Sequence, residues 1–206
     1  MRFLDESEKR RIRQAIEAAE ARFDGELVTI IATASDTYRY IPTLWAGLIA
    51  LLSPWLMLLV APLAALTTIL IVQSAVFLGL MLLFHWRPVK MALIPAPVKR
   101  QRASRLAREQ FFGRGLHLTD NHNAILLFVS VAERYVEIIA DSGIHARVAD
   151  PCWQDIVADF TARVGRGQIA DGFLCAIEAC SARLAEHYPA TAERSNRLPD
   201  YLIEID

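Results

Sequence analysis

The chain has 206 residues, 54% of them hydrophobic, with 22 basic and 23 acidic groups and a formal net charge of −1. That length allows one or two domains. Three cysteines without a CxxC spacing speak against a disulfide framework, and a first stretch as charged as residues 1–26 excludes a cleavable secretory leader.

In chain order, Asp5 precedes Glu8 by three residues, the pattern of a capping box. Ile12, Ala15, Ile16, Ala19 and Phe23 then recur at helical spacing, and Asp24-Gly25 ends the helix. Residues 26–33 are β-branched and apolar on both faces, which predicts a central strand covered by helices. From Tyr40 to Trp86 there is no Lys, Arg, Asp or Glu over 47 residues. One crossing takes about 20 apolar residues, so the block predicts two membrane spans. They are placed at Thr43–Val60 and Leu63–Phe84, with the turn at Ala61-Pro62. A buried hairpin of a soluble protein and a re-entrant loop are the alternatives. The block holds no ionisable group except His85 at its margin, which favours an anchor over a carrier.

Residues 87–118 hold 8 basic groups and only Glu109 as an acid. Positive charge next to a span marks the cytoplasmic side. The predicted location is the inner (plasma) membrane, multi-pass, with both termini and the folded domain cytoplasmic. Residues 98–112 read as a helix, with Ala103, Leu106, Ala107 and Phe111 as its apolar stripe. Lys99, Arg100, Arg102, Arg105 and Arg108 occupy much of the rest. Such a face suits an anionic leaflet or plain solvation. No aromatic interleaving or binding motif supports specific nucleic-acid recognition.

Further on, residues 124–130 and 135–140 predict a β-hairpin turning at Ala132-Glu133-Arg134. Asp150-Pro151 opens a helix, and a last helix runs near Ile169–Tyr188. Neither flank of the apolar block folds easily alone, since the first would leave one strand with two bare edges. The predicted class is therefore α/β: a small mixed β-sheet packed with helices and interrupted by a two-helix transmembrane hairpin. Residues 1–39 and 87–189 form the two parts of the domain, residues 40–86 the hairpin and residues 190–206 a polar tail.

The residues Gly113–Leu116, Asn123–Val129, Glu133-Arg134, Gly143-Ile144, Asp150 and Asp171-Gly172, in this order, resemble the TPM domain family. The resemblance is to its bacterial membrane-protein branch, in which a hydrophobic hairpin interrupts the domain. It implies an α/β fold with a small mixed sheet. Activities described in the family range from phosphatase or metal binding to accessory factors of membrane complexes. Ala124 stands where the family pattern has glycine, and Asp141 where the Gly-rich turn has its second glycine.

Candidate chemistry rests on carboxylates. Asp120, Glu133, Asp141 and Asp150 are candidates to gather at one end of the sheet and hold a divalent cation such as Ca²⁺, which takes oxygen ligands. Each also has a structural role open to it: loop, turn, strand end and helix cap. His117 and His122 lie in a loop without a fixed metal spacing, and His145 is near Asp141 in sequence. No catalytic set is complete. Two functions are carried forward: a binding or assembly module for a membrane complex, with the bilayer and a membrane protein as partners, and a membrane-bound, metal-dependent phosphatase-like hydrolase.

Overall fold

A computed structural model describes residues 4–119, 122–148, 150–190 and 202–205. The chain divides into two compact units, Met1–Ser35 with Arg102–Asp206, and Asp36–Gln101.

In the first unit, α1 (Glu6–Glu20) begins with the expected capping box. The Asp5 carboxylate accepts the Glu8 amide at 2.7 Å, and Glu8 Oε2 accepts the Asp5 amide at 2.8 Å. Bonds from the Ser7 hydroxyl and the Glu8 amide hold the Asp5 carboxyl below the usual carboxylate range. Four strands follow the order β3-β2-β1-β4. β1 (Glu26–Ala32) pairs in parallel with β2 (Ala124–Ser130) from Glu26↔Ala124 to Ala32↔Ser130. β3 (Tyr135–Ala140) pairs antiparallel with β2 across a tight turn. β4 (Ile203–Ile205) lies parallel to β1 on its other side. The sheet is mixed, as the sequence predicts. The C-terminal residues correct one expectation: residues 203–205 are a strand of the domain, not part of a tail.

Both faces of the sheet are covered. Leu27 and Ile31 of β1, with Ile125, Leu127 and Val129 of β2, pack with Ile12, Ile16 and Ala19 of α1. α7 (Asp150–Gly165) adds Trp153 and Phe160 to this core, and α8 (Ile169–His187) adds Phe173 and Ile177. Val28, Ile30, Leu126 and Phe128 point to the other face and pack with Ala103, Ala107 and Phe111. These three belong to α5 (Ala96–Gly113) and are the stripe expected from spacing. Period-two alternation thus serves two cores at once, which is why both strands are mostly apolar on both faces.

The second unit holds α2 (Tyr40–Val60), with Pro54 inside it, and α3 (Leu66–His85), which pack on each other. Both are long and apolar enough to cross a membrane. The turn between them is Ala61–Ala65, slightly longer than the predicted one. A short helix not predicted from sequence, α4 (Arg87–Leu93), precedes α5.

Candidate functional site

Parallel pairing of β1 with β2 brings together three segments at the N-terminal ends of these strands: Asp24-Gly25, His122-Asn123 and, because β3 runs the other way, Asp141. Asn123 is buried, and its side-chain amide donates to the Asp24 carbonyl at 2.5 Å. Its own amide donates to the Thr119 hydroxyl at 3.2 Å. Gly25 is required by this approach, since a β-carbon there would meet the Asn123 carbonyl oxygen at 2.5 Å.

Asp141 is also buried. Its Oδ1 accepts the Ser142 amide at 2.6 Å and caps α6 (Ser142–His145). Its Oδ2 lies 3.1 Å from Nδ1 of His122, whose backbone takes a positive φ of 48°. An imidazole that meets Asp141 is thus that of His122, nineteen residues away in the chain. His117 sits in a single 3-10 turn (Leu116–Leu118), with its ring 5.2 Å from that of Phe112.

Beside this end lies a cleft of about 500 Å³, lined by Asp24, Gly143, Arg147, His187 and Tyr188 among others. The Tyr188 hydroxyl donates to the Gly143 carbonyl at 2.6 Å, and the Tyr188 carbonyl accepts the Asp24 amide at 2.9 Å. The Arg147 guanidinium stands 4.6 Å over the Tyr188 ring and donates to the His187 carbonyl at 3.2 Å. A cation stacked on a ring suits a polar ligand better than an apolar one.

Glu133 stands at the opposite end, in the β2–β3 turn. Its Oε1 accepts the Ser35 amide at 3.0 Å, and its Oε2 accepts a short bond from the buried Ser130 hydroxyl. Ser35 Oγ donates to Ser130 Oγ at 2.8 Å. Glu133 and Asp141 are thus parted by the length of the strands, roughly 20 Å at the usual rise per residue. Asp150 begins α7, and its side chain lies outside the described residues, as does Asp120.

Ca²⁺ takes six to eight oxygen ligands. Among the described residues no group of three or more His, Cys, Asp or Glu side chains is placed to hold a metal ion. The oxygens of Asp141 and Glu133 are already engaged by Ser142 and His122, and by Ser130 and Ser35. The described residues do not make a hard-cation shell.

Sequence reasoning missed the Asn123 clamp, the Arg147–Tyr188 contact and the Ser35–Ser130–Glu133 cluster. All three join residues far apart in the chain, and no local spacing announces them. A mid-chain Asn directly before a mostly apolar strand was the one available signal for the first.

Residues 92–183 match the family model described as the TPM domain. Among solved structures, the fold is similar to the NMR structure of BA42 protein from the psychrophilic bacterium Bizionia argentinensis. The TM-score is 0.62 at 17% identity, covering 98% of this chain and 95% of that one. No curated protein matches the chain. The matched segment runs from α4 to α8 and includes the Glu133-Arg134 turn, while β1, on the far side of the apolar block, completes the same sheet. The sequence match to the TPM domain covers residues 92–183, and the similarity to BA42 extends to the fold of the chain as a whole.

Proposed function

We propose that this protein is a membrane-anchored TPM-domain module that binds another membrane protein and supports assembly of its complex, on the cytoplasmic side of the inner membrane. One observation carries the anchoring. Of the most apolar stretch of α2 only 11% is buried within the chain, and of α3 none. Side chains such as Leu59, Leu63 and Leu82 are more than three-quarters exposed. Apolar surface on that scale calls for lipid or protein to cover it. The basic bias of residues 87–118 supports the cytoplasmic orientation. The binding role is favoured over catalysis because the oxygens of Glu133 and Asp141 are engaged by Ser130, Ser35, Ser142 and His122.

Crosslinking in native membranes followed by pull-down tests the role directly. A specific partner is expected, and recovery of the chain alone counts against it. Phosphate-ester turnover with Ca²⁺ or Mg²⁺ that disappears in Asp120→Ala and Asp150→Ala would replace the module by a hydrolase. In inside-out vesicles, protease is expected to reach the C-terminal segment; protection would overturn the orientation.

A further inference from the structure

Among the described residues, every large hydrophobic side chain that is exposed lies in residues 40–86, with two exceptions. These are Phe112, 59% exposed, and Leu118, 69% exposed. Phe112 lies near the end of α5, and Leu118 ends the 3-10 turn that follows. On α5, Gln101, Arg105, Arg108 and Phe112 follow one another at spacings of four, three and four residues. They form one outward stripe, turned away from the buried Ala103, Ala107 and Phe111, and all four are exposed.

The stripe combines two basic groups with an aromatic ring, and a second apolar side chain stands exposed six residues beyond Phe112, at Leu118. The only acid on the helix is Glu109, which accepts from Arg105 Nε at 2.8 Å and leaves Arg108 without a matching carboxylate on α5. α5 is also tied covalently to the anchor, because it begins eleven residues after α3 ends. A helix with two cations and a ring on one face, held within a short tether of a bilayer, suits the headgroup region. There aliphatic and aromatic groups reach the acyl boundary and guanidinium groups meet lipid phosphates.

We propose that the outward face of α5, with Arg105, Arg108 and Phe112 as its contacts and Leu118 beside them, docks on the surface of an anionic membrane. The inference rests on the anchored reading above and adds a second, peripheral contact that depends on lipid charge. It converts a tethered domain into one with a set orientation on the leaflet.

The test uses the full chain in nanodiscs of phosphatidylcholine alone and of phosphatidylcholine with a minor fraction of phosphatidylglycerol. Arginines are labelled with phenylglyoxal and read by mass spectrometry. Labelling of Arg105 and Arg108 is expected to fall about fivefold in the anionic discs, the factor that one basic group gains near such a leaflet. Arg10 and Arg183, exposed on α1 and α8, serve as controls and keep their labelling. Phe112→Asp, at an exposed position, is expected to return Arg105 and Arg108 to the level seen in phosphatidylcholine. Equal labelling in both discs overturns the docking and leaves the anchor standing. A chain that does not enter discs at all overturns both. Protection that needs a second protein from native membranes, with none in anionic discs, assigns the face to a protein partner and overturns the lipid proposal.

Discussion

Glu133 was a candidate ligand by residue type, and its surroundings give it another task. Its two oxygens join the β2–β3 turn to Ser35, the last residue of the first unit's N-terminal part. Glu133→Ala removes both acceptors and leaves the Ser130 hydroxyl, fully buried, without this partner. A loss of about 1–3 kcal/mol is expected in denaturant unfolding in mild detergent. Glu133→Gln, which keeps one carbonyl acceptor, should recover a measurable part of it. At Cys180, complete burial pushes the thiol up from the ordinary 9.0 to about 12, with Cys152 adding to the effect. The folded state therefore favours the neutral thiol. Its contribution to stability is fully present below pH 9, declines as the unfolded chain ionises above it, and is lost as pH rises through about 12. The same burial predicts reactivity: iodoacetamide at mildly alkaline pH should modify the half-exposed Cys152 and Cys175 well before Cys180, as read by mass spectrometry.

At the scale of elements, what was legible is what is periodic. The stripe of α1, the stripe of α5 and the Asp150-Pro151 start of α7 all appear where spacing puts them. β1 and β2 were legible because each is mostly apolar on both faces. β4 was not, since three residues after a polar stretch carry too little pattern to tell a strand from a tail. What makes it a strand is the open edge of β1, a partner almost the whole chain away. Removing residues 202–206 would uncover that edge and lose the burial of Leu202 and Ile203. It would also break the ion pair between Lys9 and Glu204, which raises the Lys9 ammonium above its usual range through the hydrogen bond to that carboxylate. The expected cost is about 3–6 kcal/mol from the two apolar side chains, measured as a lower unfolding midpoint. An exposed β1 edge should also make the truncated protein associate, visible by light scattering.

At the scale of the whole molecule, the apolar hairpin is an insertion between two strands that pair directly. β1 and β2 are parallel, so their connection has to cross over one face of the sheet. α5 supplies the packed part of that crossover, and α2 and α3 are additional to it. Replacing residues 40–93 by a flexible Gly/Ser linker should therefore give a domain that stays in solution without detergent and unfolds cooperatively. The entropy of closing such a loop grows only slowly with its length. Aggregation of the linker variant, or circular dichroism without a cooperative transition, would mean that the hairpin contributes to the domain's own core.

The amino-acid sequence by itself determined the long uncharged block, the two-sided burial of the central strands and the class of fold, because each follows from the hydrophobic content and periodicity of neighbouring residues. The candidate site was legible only in its residue types. Tertiary structure decided that His122 meets Asp141, that Asn123 clamps Asp24, that Glu133 stands at the far end of the strands and that residues 203–205 complete the sheet. The physical reason is the same in each case. Strand direction and register set which ends meet, and these depend on pairing between segments that the chain keeps tens of residues apart or more.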